Sequence, residues 1–167
     1  MNLATARRPK RILAVDDNEV ILCVLSSGLT AAGYQVITAT DGAEAFHKVL
    51  HEKPDLILLD LMLPPDIASS GNTWDGFVIM DWLQKMSEAR NTPVIVITGG
   101  EPEDFRDRCF EAGALAYFQK PIEMPDLLAN VHALLDVEGE PLTVPLAAIA
   151  QAESARVQTP PAFRPRA

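Results

Sequence analysis

Cysteine is almost missing. Cys23 and Cys109 lie far apart, with no histidine or acid cluster at ligand spacing, so a reduced, cytosolic chain is the simplest reading. Aromatic residues are few, at 6%, yet 48% hydrophobic and 22% charged residues suit a soluble globular core and exclude a wholly disordered or collagen-like chain. Long apolar runs are also absent: Asp16, Asp60 and Asp75 break the greasiest stretches well short of the roughly 18 residues that a membrane helix needs. Arg7, Arg8, Lys10 and Arg11 precede only Ile12 to Val15, too little for a signal-peptide core. Basic residues are scarce in the body, where residues 12–153 hold all 23 acids but only seven of the 14 Lys and Arg, a balance of −16; the two ends contribute +7. Such a body opposes direct binding to nucleic acid or an anionic membrane and fits a protein or metal-ion partner. There is no internal repeat, and 167 residues favour one domain.

What is present is a series of short apolar runs: Ile12–Val15, Val36–Thr38, Leu56–Leu59, Val94–Ile97 and Ala116–Phe118. The first, third and fourth are unbroken rather than alternating, as in strands covered on both faces of a parallel sheet. Between the runs, apolar residues recur every three or four positions, as in Ile21, Leu25, Leu29 and in Leu127, Val131, Leu134, which predicts amphipathic helices. Gly33 and Gly113 fall where helices should stop, Asp41 with Glu44 resembles a capping box, and Pro125 suits a first helical turn. Five such alternations over residues 11–136 predict a doubly wound α/β domain. Residues 1–10 form a basic extension, and 137–167 a Pro/Ala-rich tail too small for an output domain.

Ligands of such a sheet bind beyond the carboxyl ends of its strands. Those ends carry Asp16 and Asp17, Asp60, Thr98, and Lys120 followed by Pro121. Three carboxylates on one rim repel one another, and a hard divalent cation such as Mg2+ relieves the repulsion. A carboxylate beside the metal can attack a phosphoryl group, while Lys120 and the Thr98 hydroxyl can hold phosphoryl oxygens. Singly, Asp16 or Asp17 would be read as a helix cap and Asp60 as a turn acid. The joint placement is what points to phosphoryl chemistry.

In these elements the chain resembles the receiver domain of two-component response regulators: Asp16-Asp17, Asp60-Leu61-Met62-Leu63-Pro64, Thr98-Gly99 and Lys120-Pro121, in order, at successive strand ends. The resemblance implies a flavodoxin-like five-stranded parallel sheet of order 2-1-3-4-5 with helices on both faces. It implies Asp60 as phosphoacceptor, with Asp16, Asp17, Asp60 and the Met62 backbone carbonyl around Mg2+. Thr98 and Tyr117 would be the switch pair, Lys120 the phosphoryl's ion-pair partner, and the Lys120-Pro121 peptide cis. The implied partners are a histidine kinase or histidine phosphotransfer protein and an output protein still to be named, with a homodimer possible. The expected function is that of a stand-alone receiver, signalling by a phosphorylation-dependent change of its binding surface.

After Pro64 the usual short connection to Gly76 is lengthened by about eight residues within 65–75, and Trp74 there marks a candidate partner loop. The resemblance places Met62 and Gly100 where the family positions or excludes the hydrolytic water, and neither side chain offers a hydrogen bond, so slow self-dephosphorylation is expected. A haloacid-dehalogenase-like phosphatase would need a second acid where Met62 stands. A degenerate receiver acting only as a binding module would not need the complete acid, Thr and Lys set. His47, His51 and His132 are read as solvated or packed.

Overall fold

The unbroken apolar runs follow from a sheet buried on both faces, as found in the computed structural model, which describes residues 8–64, 76–99 and 102–135. Five strands alternate with five helices: β1 Arg11–Val15, α1 Glu19–Ala31, β2 Gln35–Ala39, α2 Gly42–Glu52, β3 Leu56–Leu59, α3 Gly76–Lys85, β4 Val94–Thr98, α4 Pro102–Glu111, β5 Ala116–Gln119 and α5 Met124–Leu135. The sheet is wholly parallel, in the order β2-β1-β3-β4-β5. Successive residues of β1, β3 and β4 enter opposite cores. Leu13, Val15, Ile57, Leu59 and Val96 pack with Val49, Met80, Leu83 and Cys109 of α2, α3 and α4. Ile12, Ala14, Leu56, Leu58, Ile95 and Ile97 pack with α1 and α5. Both phases of each strand must therefore be apolar. Truncating a fully buried residue such as Leu58 to Ala would cost about 2–5 kcal/mol.

The helices start and stop where local chemistry directs. Asn18 caps α1, its side chain accepting from the Val20 amide, so neither Asp16 nor Asp17 is consumed as a cap. On α2, Asp41 accepts from the Glu44 amide at 2.7 Å. Glu44 reaches back to the Thr40 amide, one residue earlier than the usual reciprocal box. Gly33 and Gly113 carry positive φ just beyond α1 and α4.

One expected stripe shifts. The buried line of α1 is Leu22, Leu25 and Leu29, with Ile21 only partly covered, because Ile21 lies about 100° around the helix from Leu22, at the margin of the apolar arc. Among the described residues, no helix is long and apolar enough to cross a membrane. The insertion 65–75 with Trp74, together with Gly100, residues 1–7 and the tail from 136, lies outside the described residues.

Candidate functional site

Backbone hydrogen bonding continues one residue past the strands and fixes the residues of interest. The Asp16 amide donates to the Ala39 carbonyl at 3.1 Å, that of Asp60 to Val15 at 2.9 Å, and that of Lys120 to Thr98 at 2.9 Å. The chain places Asp16 directly after β1, Asp60 after β3, Thr98 at the end of β4 and Lys120 after β5. Adjacent positions in a parallel sheet thus become adjacent side chains at one rim.

Lys120 Nζ lies 2.5 Å from Asp60 Oδ2 and 2.6 Å from Asp16 Oδ2. The other oxygens are held by backbone amides: Asn18 donates to Asp16 Oδ1 and Met62 to Asp60 Oδ1, both at 2.9 Å. Asp16 and Asp60 are 2% and 3% exposed, whereas Asp17 faces solvent. Burial pushes the Asp16 carboxyl up from its ordinary value, and the hydrogen bonds from Lys120 and Asn18 only partly counter it. Burial pulls the Lys120 ammonium down, but its bonds to Asp16 and Asp60 outweigh that and leave it raised. The two shifts are compatible because one ammonium serves two carboxylates, and the Asp60 charge itself opposes ionisation of Asp16. Three carboxyl groups therefore share one ammonium at the rim.

One carboxylate oxygen from each of Asp16, Asp17 and Asp60 lies within 4.8 Å of the others. Octahedral Mg2+, with ligand distances near 2.1 Å, sets its oxygens about 3 Å apart when adjacent and about 4 Å apart when opposite. The three acids are the oxygen donors such an ion takes, and Asp17, the exposed member, lies on the solvent side where water ligands enter.

The remaining predicted residues surround this cluster. Thr98 is buried and pairs in register with Gln119. The Lys120–Pro121 peptide is cis. Tyr117 packs against the core that contains Cys109, and its hydroxyl is buried with no hydrogen-bond partner among the described residues. Burial, and secondly the neighbouring Cys109, push that phenol up. Met62 turns its side chain outward, 59% exposed.

Two features escaped the sequence reading. Gly76 does more than open α3: its amide donates to the Leu61 carbonyl, and a Cβ there would lie 2.5 Å from Leu61 Cα and 2.7 Å from the Asp60 carbonyl oxygen. Only glycine lets α3 approach the backbone that carries Asp60 this closely. Val20 and Val24, one turn apart on the outward face of α1, are 70% and 58% exposed and begin just after the Asp16-Asp17-Asn18 turn. Apolar residues at i and i+4, off the buried stripe, were the available signal.

Comparison with known proteins agrees with this geometry. Residues 12–132 match the response regulator receiver domain family. The chain belongs to that family. The receiver is 36% identical over 133 residues to the transcriptional regulatory protein PrrA of Mycobacterium bovis, covering 80% of this chain and 53% of PrrA. It is 31% identical over 127 residues to the polar-differentiation response regulator DivK of Brucella anthropi, covering 76% of this chain and 97% of DivK. The chain thus spans about half the length of PrrA and nearly all of DivK. Among solved structures, a CheY-like receiver from Methanospirillum hungatei superposes with a TM-score of 0.67 at 31% identity, over 77% of this chain and 94% of that one. The receiver domain of a Pseudomonas aeruginosa sensor histidine kinase, with a TM-score of 0.67 and 26% identity, covers 77% of this chain and 99% of that one. It holds a magnesium ion in its active-site cleft. The flavodoxin-like fold and the 2-1-3-4-5 order stand as expected. Members of this family are phosphorylation-dependent switches that work with histidine kinases and output proteins.

Proposed function

We propose that Asp60 accepts a phosphoryl group from a phosphohistidine and that the resulting change of surface is the signal. The observation that carries this is the meeting of Asp16, Asp17, Asp60 and Lys120 at one rim, three carboxyl groups sharing one ammonium. An Asp60 carboxylate oxygen forms the bond to phosphorus as the bond from the donor imidazole nitrogen breaks, and the imidazole leaves. Asp60 is presented for this by the Met62 amide, which holds one carboxylate oxygen and fixes the rotamer. Bound Mg2+ would supply charge neutralisation at the transferring oxygens; Asp16, Asp17, Asp60 and the Met62 carbonyl are its proposed ligands.

Lys120 then exchanges part of its contact with Asp60 for a phosphoryl oxygen, and the Thr98 hydroxyl takes another. Tyr117 follows Thr98, carrying the change to the face of α4, β5 and α5. The phosphoryl group acts as a ligand that favours one of two conformations. Val20 and Val24 follow the Asp16-Asp17-Asn18 turn and Met62 follows Asp60, all three exposed, and they are the apolar side chains on which a donor protein would seat its histidine. Residues 11–136 make the receiver, 1–10 and 137–167 its extensions, and the 65–75 segment a partner-selecting loop. With no acid at Met62, retention of the phosphoryl group is favoured over rapid turnover, so the protein is a switch rather than a phosphatase.

Intact mass after exposure to a small acyl phosphate tests the reading. One phosphoryl group should be gained with Mg2+ and none with a chelator. No gain under either condition would favour a binding module without phosphorylation.

A further inference from the structure

Helix α2 carries an unassigned pair, His47 and His51, one turn apart on its exposed side. Their ring centroids lie 4.2 Å apart with planes inclined by 44°. Neither ring has a hydrogen bond or ion pair to another described residue. Lys48, between them in sequence, is turned away: its ammonium bonds the Glu44 carboxylate at 2.6 Å and the Thr38 carbonyl. The Lys48 ammonium is thus held by these two oxygens.

The spacing is that of a chelate. Two imidazole nitrogens about 2.1 Å from one ion place the ring centres about 3.2 Å from it, and a right angle at the ion separates them by about 4.5 Å. The observed separation is a few tenths of an ångström shorter, within the reach of small rotations of exposed side chains. His51 also lies in the last turn of the helix, where the backbone carbonyls favour a bound cation.

We propose that His47 and His51 form a bidentate surface site for a divalent transition ion of the Ni2+ and Cu2+ class, whose adjacent ligands stand at right angles, with water in the remaining positions. Imidazole selects these ions over Mg2+, which takes hard oxygen ligands. The site is thus chemically distinct from the acidic rim. It is also spatially distinct: α2 starts at the strand-end side, just after β2, and His51 falls in its final turn.

The test is calorimetric titration of the full chain with Ni2+ in excess Mg2+, which keeps the acidic cluster supplied with its preferred ion. Paramagnetic broadening of backbone amides serves as a map. The expected result is binding of one Ni2+, with broadening centred on residues 47–51. His47→Ala and His51→Ala should each weaken binding about tenfold or more, since loss of even an outer-shell partner costs that much. Circular dichroism verifies that α2 persists, and His47→Gln and His51→Gln replace any variant that fails to fold. Variants that bind Ni2+ as the wild type does, or broadening centred on Asp16, Asp17 and Asp60 or on His132, would overturn the proposal.

Discussion

Replacing Gly76 by Ala perturbs the site through its backbone alone. The added methyl would meet Leu61 Cα at 2.5 Å and the Asp60 carbonyl oxygen at 2.7 Å, where unstrained contacts are about 3.5–4.0 Å. Neither obstacle is the free end of a side chain. Either α3 or the segment after β3 must retreat by about 1 Å. Overpacking of this kind costs about 1–3 kcal/mol, and the upper half of that range is expected because backbone lies on both sides. The helix propensity gained on replacing glycine returns only about 0.4–1 kcal/mol. A net loss of about 2 kcal/mol, with a urea dependence of about 2 kcal/mol per molar, lowers the unfolding midpoint by about 1 M. The same retreat misplaces Asp60, and an error of about 1 Å in a reacting group costs about 10²-fold in rate. Phosphoryl uptake, followed by intact mass, should slow accordingly. Gly99→Ala is the control, since among the described residues its methyl would meet only Lys120 Cδ, at 4.0 Å; its midpoint should stay close to wild type. A Gly76→Ala protein as stable as wild type and phosphorylated as fast would refute the close-approach argument.

Tyr117→Phe removes a buried hydroxyl that has no partner among the described residues and keeps the ring, so urea unfolding should show a gain of about 1 kcal/mol; a loss would mean that the hydroxyl is satisfied. The two thiols should differ sharply towards an aromatic disulfide reagent: exposed Cys23 reacts in the native protein, whereas Cys109 reacts only on unfolding. Burial pushes the Cys109 thiol from an ordinary 9.0 up to about 11, with Arg108 opposing the shift. The folded protein therefore holds that proton more tightly than the unfolded chain. The stabilisation is complete below pH 9.0 and is lost as pH rises from 9.0 to about 11. Cys109→Ala should flatten the fall in stability over that window, and an unchanged slope would contradict the assignment.

The fold was legible because burial on two faces writes unbroken apolar runs into β1, β3 and β4, and parallel strands need helices between them. The candidate site was legible because its members fall at strand ends, where position in sequence translates into position in space. What stayed hidden depends on distances across the fold. Nothing near Gly76 in sequence reveals that α3 presses on the backbone of Asp60 and Leu61. Lys120 was expected to pair with the phosphoryl group, yet it bridges Asp16 as well as Asp60, which only the convergence of β1, β3 and β5 makes possible. The inward placement of the Tyr117 hydroxyl is a matter of packing against α4, which no local pattern encodes. His47 and His51 stood at helical spacing in plain view. Their pairing was missed because two ligands fall short of the usual metal motif.

The most direct measurement is the location of the phosphoryl group itself. Protein treated with a small acyl phosphate and Mg2+, then reduced with borohydride, which releases the phosphate and leaves a homoserine where the acyl phosphate stood, and digested, should show that conversion at Asp60 and nowhere else, and Asp60→Asn should take up no phosphoryl group. Conversion at another residue, or undiminished uptake by Asp60→Asn, would contradict the assignment of Asp60 as the phosphoacceptor.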